Sequence, residues 1–110
     1  YKRQIIHCDE FQTEGTDKIA ERIKKRVGDN PLYLSIDIDV LDPAFAPGTG
    51  TPEIAGMTTR EMVNVLRGLS GLNLVSADVV EVSPAYDHAE VTSLAAATIV
   101  YELTNLFAKS

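Results

Sequence analysis

Apolar and polar positions along the 110-residue chain recur with two different periods, and these predict an alternation of strands and helices. Residues 3–8, "RQIIHC", form a short apolar-centred run that predicts a first strand. In "TDKIAERIKKRV", Ile19, Ile23 and Val27 fall four apart, which predicts an amphipathic helix over Thr16–Val27. Thr16 or Asp17 can cap it, and "GDNP" over 28–31 ends it. Residues 32–38 carry apolar, branched and aromatic side chains at most positions, the pattern of a parallel-sheet strand covered on both faces. Residues 41–56, "LDPAFAPGTGTPEIAG", hold three prolines and three glycines and so predict a long irregular loop. Over 58–69, Thr58 with Glu61 three residues on is the reciprocal capping pattern of a helix start. Residues 73–82, "NLVSADVVEV", predict another strand, residues 83–88 its loop, and residues 90–107 a last helix. Leu94, Ala97, Val100, Tyr101 and Leu106 lie on or near one stripe of that helix and are the expected inward face.

The resulting β-α-β-α-β-α order predicts a parallel α/β sheet with right-handed crossovers, in which ligands gather at the carboxyl ends of the strands. With 45% apolar residues the chain is one domain or part of one, and at this size folding hides roughly 65% of the surface of the extended chain.

Charge narrows the partners. Sixteen acidic residues against ten basic ones give a net charge of −6, which disfavours nucleic acid and anionic membranes. The basic run "RIKKR" over 22–26 falls within a helical pattern and reads as a solvated face. A single cysteine, Cys8, has no partner for a disulfide, a zinc pair or a redox motif, so a reducing compartment is the default: cytoplasmic, with a mitochondrial location also open. No apolar run is expected to reach the roughly 18 residues of a membrane span. The start at Tyr1 rather than Met gives the expectation of an excised or processed piece.

One stretch of charge is out of place. "SIDIDVLDP" sets Asp37, Asp39 and Asp42 at the end of an otherwise oily strand. On a strand, Asp37 and Asp39 would project to one side, about 6.6 Å apart along the chain, with Ile36 and Ile38 facing the other way. Burying isolated carboxylates costs more than a domain can spare, so they must be protonated, paired with a base, or set against a cation. No Lys or Arg lies between Val27 and Thr59, which favours a divalent metal. Asp42, just before Pro43, reads instead as a turn residue. Glu81, at the end of the next strand, is by itself open between a site acid and a solvent-facing one.

Two segments, "SIDIDVLDPAFAPGTGTPEIAG" over 35–56 and "GLNLVSADVVEVSPAYDHAEVTSLAAAT" over 71–98, resemble the ureohydrolase (arginase/agmatinase) family, its agmatinase-like branch more than the arginases. The resemblance runs from about residue 27 to the end, and it is carried by the S-x-D-x-D-x-x-D-P…G-T-G-T-P combination. It implies a three-layer α/β/α fold with a parallel sheet, present here in part, so that residues 1–110 form the C-terminal part of the domain. It also implies manganese-dependent hydrolysis of a guanidino compound, two Mn²⁺ ions activating a bridging hydroxide that attacks the guanidinium carbon, with urea leaving. By position, Asp37 resembles the metal-bridging aspartate and Asp39 the ligand of the second ion, while Glu81 resembles the glutamate that grips the guanidinium. Asp37 and Glu81 are thus the expected catalytic pair, and Glu81, Thr51 of the "GTGTP" loop and His88 the expected substrate contacts. Tyr86 and Asp87 are candidates for reading the amine end of the substrate. Homo-oligomers are common in the family.

The chain departs from the family in one respect: the G-G-D-H and D-A-H-x-D motifs that supply the other metal ligands do not occur in it, and "HCDE" over 7–10 lacks their spacing. Two ligands cannot hold a dinuclear centre, so the chain is expected to supply part of a site and to be inactive alone. Two alternatives stand beside this. A haloacid-dehalogenase-type phosphohydrolase would use Asp37 as nucleophile and Asp39 as acid/base with Mg²⁺, although Leu41 stands at its Thr/Val position and no phosphate cradle follows. A non-catalytic structural fragment would keep only the packing.

Overall fold

The structure, a computed structural model, describes residues 3–109. Along the chain it runs through α1 (Cys8–Glu14), α2 (Thr16–Val27), β1 (Leu32–Asp37), α3 (Thr59–Gly68), β2 (Leu74–Val80) and α4 (Val91–Ala108), with short 3₁₀ turns at Ile38–Val40 and Pro84–Tyr86. β1 and β2 pair in parallel, Ser35 opposite Asp78 and Asp37 opposite Val80. The expected parallel α/β arrangement is present.

Local chemistry explains most element boundaries. The Thr58 hydroxyl accepts the Glu61 N–H at 3.0 Å while the Glu61 carboxylate accepts the Thr58 N–H at 2.9 Å, so α3 starts with both orphan donors satisfied. Gly28, with φ of 60°, stops α2 where the sequence placed its end.

The strand expected over 3–8 does not form. Residues 3–7 are irregular, and Cys8 opens α1 instead. The Glu10 carboxylate accepts the His7 N–H at 2.6 Å, which fixes a helix start, and Arg22 of α2 then reaches Glu10 at 3.0 Å and Glu14 at 2.7 Å. A local cap together with two ion pairs wins over a short apolar run that meets no sheet neighbour among the described residues.

One hydrophobic core lies between the sheet and the helices. It takes Ile36 and Ile38 from the β1 end, Ala20 from α2, Met62, Val65 and Leu66 from α3, Leu74 from β2, and Ala95, Ile99, Leu103 and Leu106 from α4. The second face of β1, expected to be covered, is open: Tyr33, Ser35 and Asp37 are exposed, in strict alternation with the inward residues. Of the three expected layers, the described residues therefore show the sheet and the helices on one of its faces.

α4 corrects two further expectations. It spans 18 residues with a mean hydropathy of 1.3, long and apolar enough to cross a membrane by length and composition, although no such run was expected; here it packs against β2 and α3. Its inward stripe is Thr92, Ala95, Ile99, Glu102, Leu103 and Leu106, whereas Leu94, Val100 and Tyr101 are half-exposed or more and Ala97 is exposed. A helix that is apolar nearly all round carries no periodic signal to choose its inner face. The buried Glu102 receives a forked bond from Arg67 of α3, its closest contact 2.9 Å, so the charge inside that stripe is answered.

Candidate active site

The acids singled out by the sequence gather beyond the carboxyl ends of β1 and β2. Asp37 is the last residue of β1, and Glu81 follows β2 directly, one residue past the partner of Asp37 in the ladder. Glu81 has a φ of 69°, a left-handed conformation that a non-glycine residue adopts at some cost, and this ends the strand.

Asp39 does not sit on the strand. The chain turns into a 3₁₀ turn over Ile38–Val40, and the Asp37 carboxylate accepts the Asp39 N–H at 3.1 Å as its cap. Strand alternation is therefore not what brings the two carboxylates together; the turn is. Asp37 is held above the ordinary carboxyl value, chiefly by loss of hydration and then by the nearby charges of Asp39 and Glu81, with the Asp39 N–H opposing. Three acids thus crowd one edge of the sheet. The ion pairs of Arg22 and Arg67 go to Glu10, Glu14 and Glu102 and leave these three acids aside.

The loop over 41–56 is irregular in structure, as expected, but firmly tied. Asp42 performs the turn role: its carboxylate accepts Ala44 N–H at 2.9 Å and Ala55 N–H at 3.0 Å, closing the loop on itself. Asp42 N–H donates to Met57 O and Met57 N–H to Val40 O, a short parallel bridge. Gly56 lies against it so closely that a Cβ would fall 2.7 Å from Asp42 N and 2.8 Å from Val40 O. At the other end of the loop the Thr51 hydroxyl donates to Asp39 Oδ2 at 2.6 Å.

The loop after β2 is organised by Asp87. Its carboxylate accepts the N–H groups of His88 at 2.8 Å, Thr92 at 3.0 Å and Ser93 at 3.1 Å. Partial desolvation works against the charged form, but these bonds and that of the Thr92 hydroxyl outweigh it and hold the carboxyl far below its usual range. Asp87 therefore caps the start of α4. Sequence reasoning missed this role; the signal was present, since an Asp five residues ahead of Thr92 can reach the first turn of a helix. His88 and Tyr86 are exposed in the same loop, and among the described residues no hydrogen bond joins the His88 ring to the acids.

Two aspartates offer the hard oxygen donors that Mn²⁺ or Mg²⁺ takes, and their mutual crowding is what a cation would relieve. Among the described residues, however, no group of three or more His, Cys, Asp or Glu side chains could enclose an ion. A groove of about 450 Å³ lined by Phe45, Met62, Leu94 and Ile99 lies apart from these acids and is mostly apolar.

Comparison with known proteins gives the family. The chain is 53% identical over 102 residues to an agmatinase of Photorhabdus laumondii, covering 93% of this chain and 33% of that protein. It is 51% identical over 107 residues to a guanidinopropionase of Pseudomonas aeruginosa, covering 97% of this chain and 34% of the other. The structure superposes on proclavaminate amidino hydrolase of Streptomyces clavuligerus with a TM-score of 0.94 at 46% identity, over 96% of this chain and 35% of that one. The chain thus spans about a third of the length of these relatives. The model of the Arginase family matches residues 1–105, and with the acids and loops it brings to one sheet edge, the chain belongs to the Arginase family.

Proposed function

We propose that this chain supplies the carboxylate edge of a manganese-dependent ureohydrolase site, which hydrolyses an agmatine-like guanidino compound to an amine and urea. The observation that carries it is the meeting of Asp37, Asp39 and Glu81 at one sheet edge, in a chain of this family, with no base among them. Asp37 and Asp39 are the residues that would hold Mn²⁺. Bound manganese supplies Lewis acidity and makes water a nucleophile at neutral pH.

The chain's own residues do the rest. Glu81 offers two oxygens to a planar guanidinium, a geometry suited to paired N–H donors. A carboxylate there holds the guanidinium carbon against the Asp37/Asp39 edge. Water adds to that carbon, the bond to the substituted nitrogen breaks, and the amine leaves with a proton as urea forms. Relatives named for agmatine and guanidinopropionate differ in the tail beyond the guanidino group, so a head-group reader such as Glu81 serves both.

The chain works as one portion of a longer ureohydrolase chain and is inactive alone, because its two metal ligands leave the shell unfinished. Membership of the Arginase family leaves a phosphate-transferring role for Asp37 without support. The test is urea release from agmatine in the presence of Mn²⁺, measured for the 110-residue chain and for a full-length protein carrying it. No urea from the former, urea from the latter, and a drop in kcat/KM of about 10–100-fold for Glu81→Gln are expected, the loss of one charge-assisted bond. Turnover by the 110-residue chain, or a full-length protein indifferent to Glu81→Gln, refutes the assignment.

A further inference from the structure

The Thr51 hydroxyl has one proton, and it is committed to Asp39 Oδ2 at 2.6 Å. The matching atom on the neighbouring acid, Asp37 Oδ1, takes the Asp39 N–H at 3.1 Å. Each aspartate therefore has one oxygen fixed by a neutral protein donor. A neutral donor orients a carboxylate without cancelling its charge, as a lysine would, so the acid stays fit to bind a cation.

The loop that carries Thr51 is itself anchored three residues upstream. Gly48 N–H donates to the buried Thr92 Oγ1 at 2.7 Å, and Gly48 O accepts Ser83 N–H at 2.7 Å. The Thr92 N–H in turn donates at 3.0 Å to the Asp87 carboxylate, which caps α4. A chain of hydrogen bonds thus runs from the start of α4 to the loop, and the loop ends on Asp39. Pro52 directly after Thr51 limits the backbone further.

We propose that Thr51 is a positioning residue: it holds the Asp39 carboxylate in the rotamer that binds metal, rather than contacting the substrate as the sequence led us to expect. This rests on the reading of Asp39 as a manganese ligand given above. Its consequence is that loss of the hydroxyl is felt first in metal retention and not in substrate affinity, since outer partners of metal ligands act through the ligand.

The experiment uses the full-length, Mn²⁺-loaded protein carrying this sequence, with Thr51→Val, Thr51→Ser and Asp39→Asn, singly and as the Thr51→Val/Asp39→Asn pair. Manganese retention is measured by competition with a chelator, and KM for agmatine separately. Thr51→Val is expected to weaken Mn²⁺ binding about 10–100-fold while leaving KM unchanged, and Thr51→Ser to restore binding. In the Asp39→Asn background Thr51→Val is expected to have no further effect on metal, because its only route is through that carboxylate. Wild-type manganese retention in Thr51→Val with a raised KM overturns the proposal in favour of a substrate contact; so does an undiminished Thr51→Val effect in the Asp39→Asn background. Should Thr51→Val fail to fold, Thr51→Ala is carried through the same cycle and decides by the same two outcomes. A protein that releases no urea but loses Mn²⁺ on Thr51→Val refutes the proposed reaction and leaves the positioning role standing.

Discussion

Gly48 donates its N–H to Thr92 Oγ1 at 2.7 Å, which fastens the glycine-rich loop beside the candidate site to the first turn of α4. There is no room for a side chain at this junction: a Cβ on Gly48 would lie 2.9 Å from Asp87 Cβ and 2.9 Å from Thr92 Oγ1. Gly48→Ala must therefore push the loop away from α4, at a cost of about 1–3 kcal/mol, as expected for overpacking. A urea titration with a lower midpoint and an unchanged slope is the expected record; an unchanged midpoint shows that the junction gives way freely.

Asp87 makes stability depend on acid. Its folded carboxyl lies below the unfolded one, so the folded state binds this proton less readily than the unfolded chain does. The stabilisation is then complete above the unfolded value of about 3.9 and is lost as pH falls through the folded value. Asp87→Asn is expected to lower Tm at neutral pH and to flatten the fall of Tm with acid. Parallel Tm–pH curves for the two proteins are the outcome that removes Asp87 from the acid response.

Two substitutions on α4 decide which stripe faces inward. Ile99 is 2% exposed and Leu94 65% exposed. Ile99→Ala is expected to cost about 2–5 kcal/mol, the transfer loss plus the cavity, and Leu94→Ala no more than about 0.5 kcal/mol. Chemical denaturation of both measures the contrast, and equal costs contradict the packing described.

The start of α3 rests on a reciprocal pair. Thr58→Ala removes the acceptor of the Glu61 N–H and is expected to cost about 1 kcal/mol by the same denaturation assay. Because the Glu61 carboxylate still accepts the Thr58 N–H, Glu61→Ala in the Thr58→Ala background is expected to add a further loss.

Much of this molecule was legible along the chain. Thr58 and Glu61 at the right interval, Gly28 after a fourfold apolar period, and two β-rich runs separated by a helix dictate α2, α3 and both strands through contacts only a few residues long, and such contacts are written in sequence order. The anomaly of Asp37 and Asp39 was legible too, because charge at the end of an oily strand is a local contradiction, and so was the turn role of Asp42. Where local signals tie, only packing decides. Residues 3–8 fit a strand as well as α1 does until Arg22 of α2 reaches Glu10 and Glu14. The apolar girdle of α4 fits several faces until β2 and α3 choose one. The partners of Thr51 and Thr92 were likewise beyond reach: a hydroxyl twelve residues from Asp39 and a glycine 44 residues from Thr92 become neighbours only when the long loop folds back across the sheet edge. The sequence by itself determined the elements and the presence of an acidic edge; the tertiary structure decided which groups hold that edge in place, because those hydrogen bonds join residues that no local period relates.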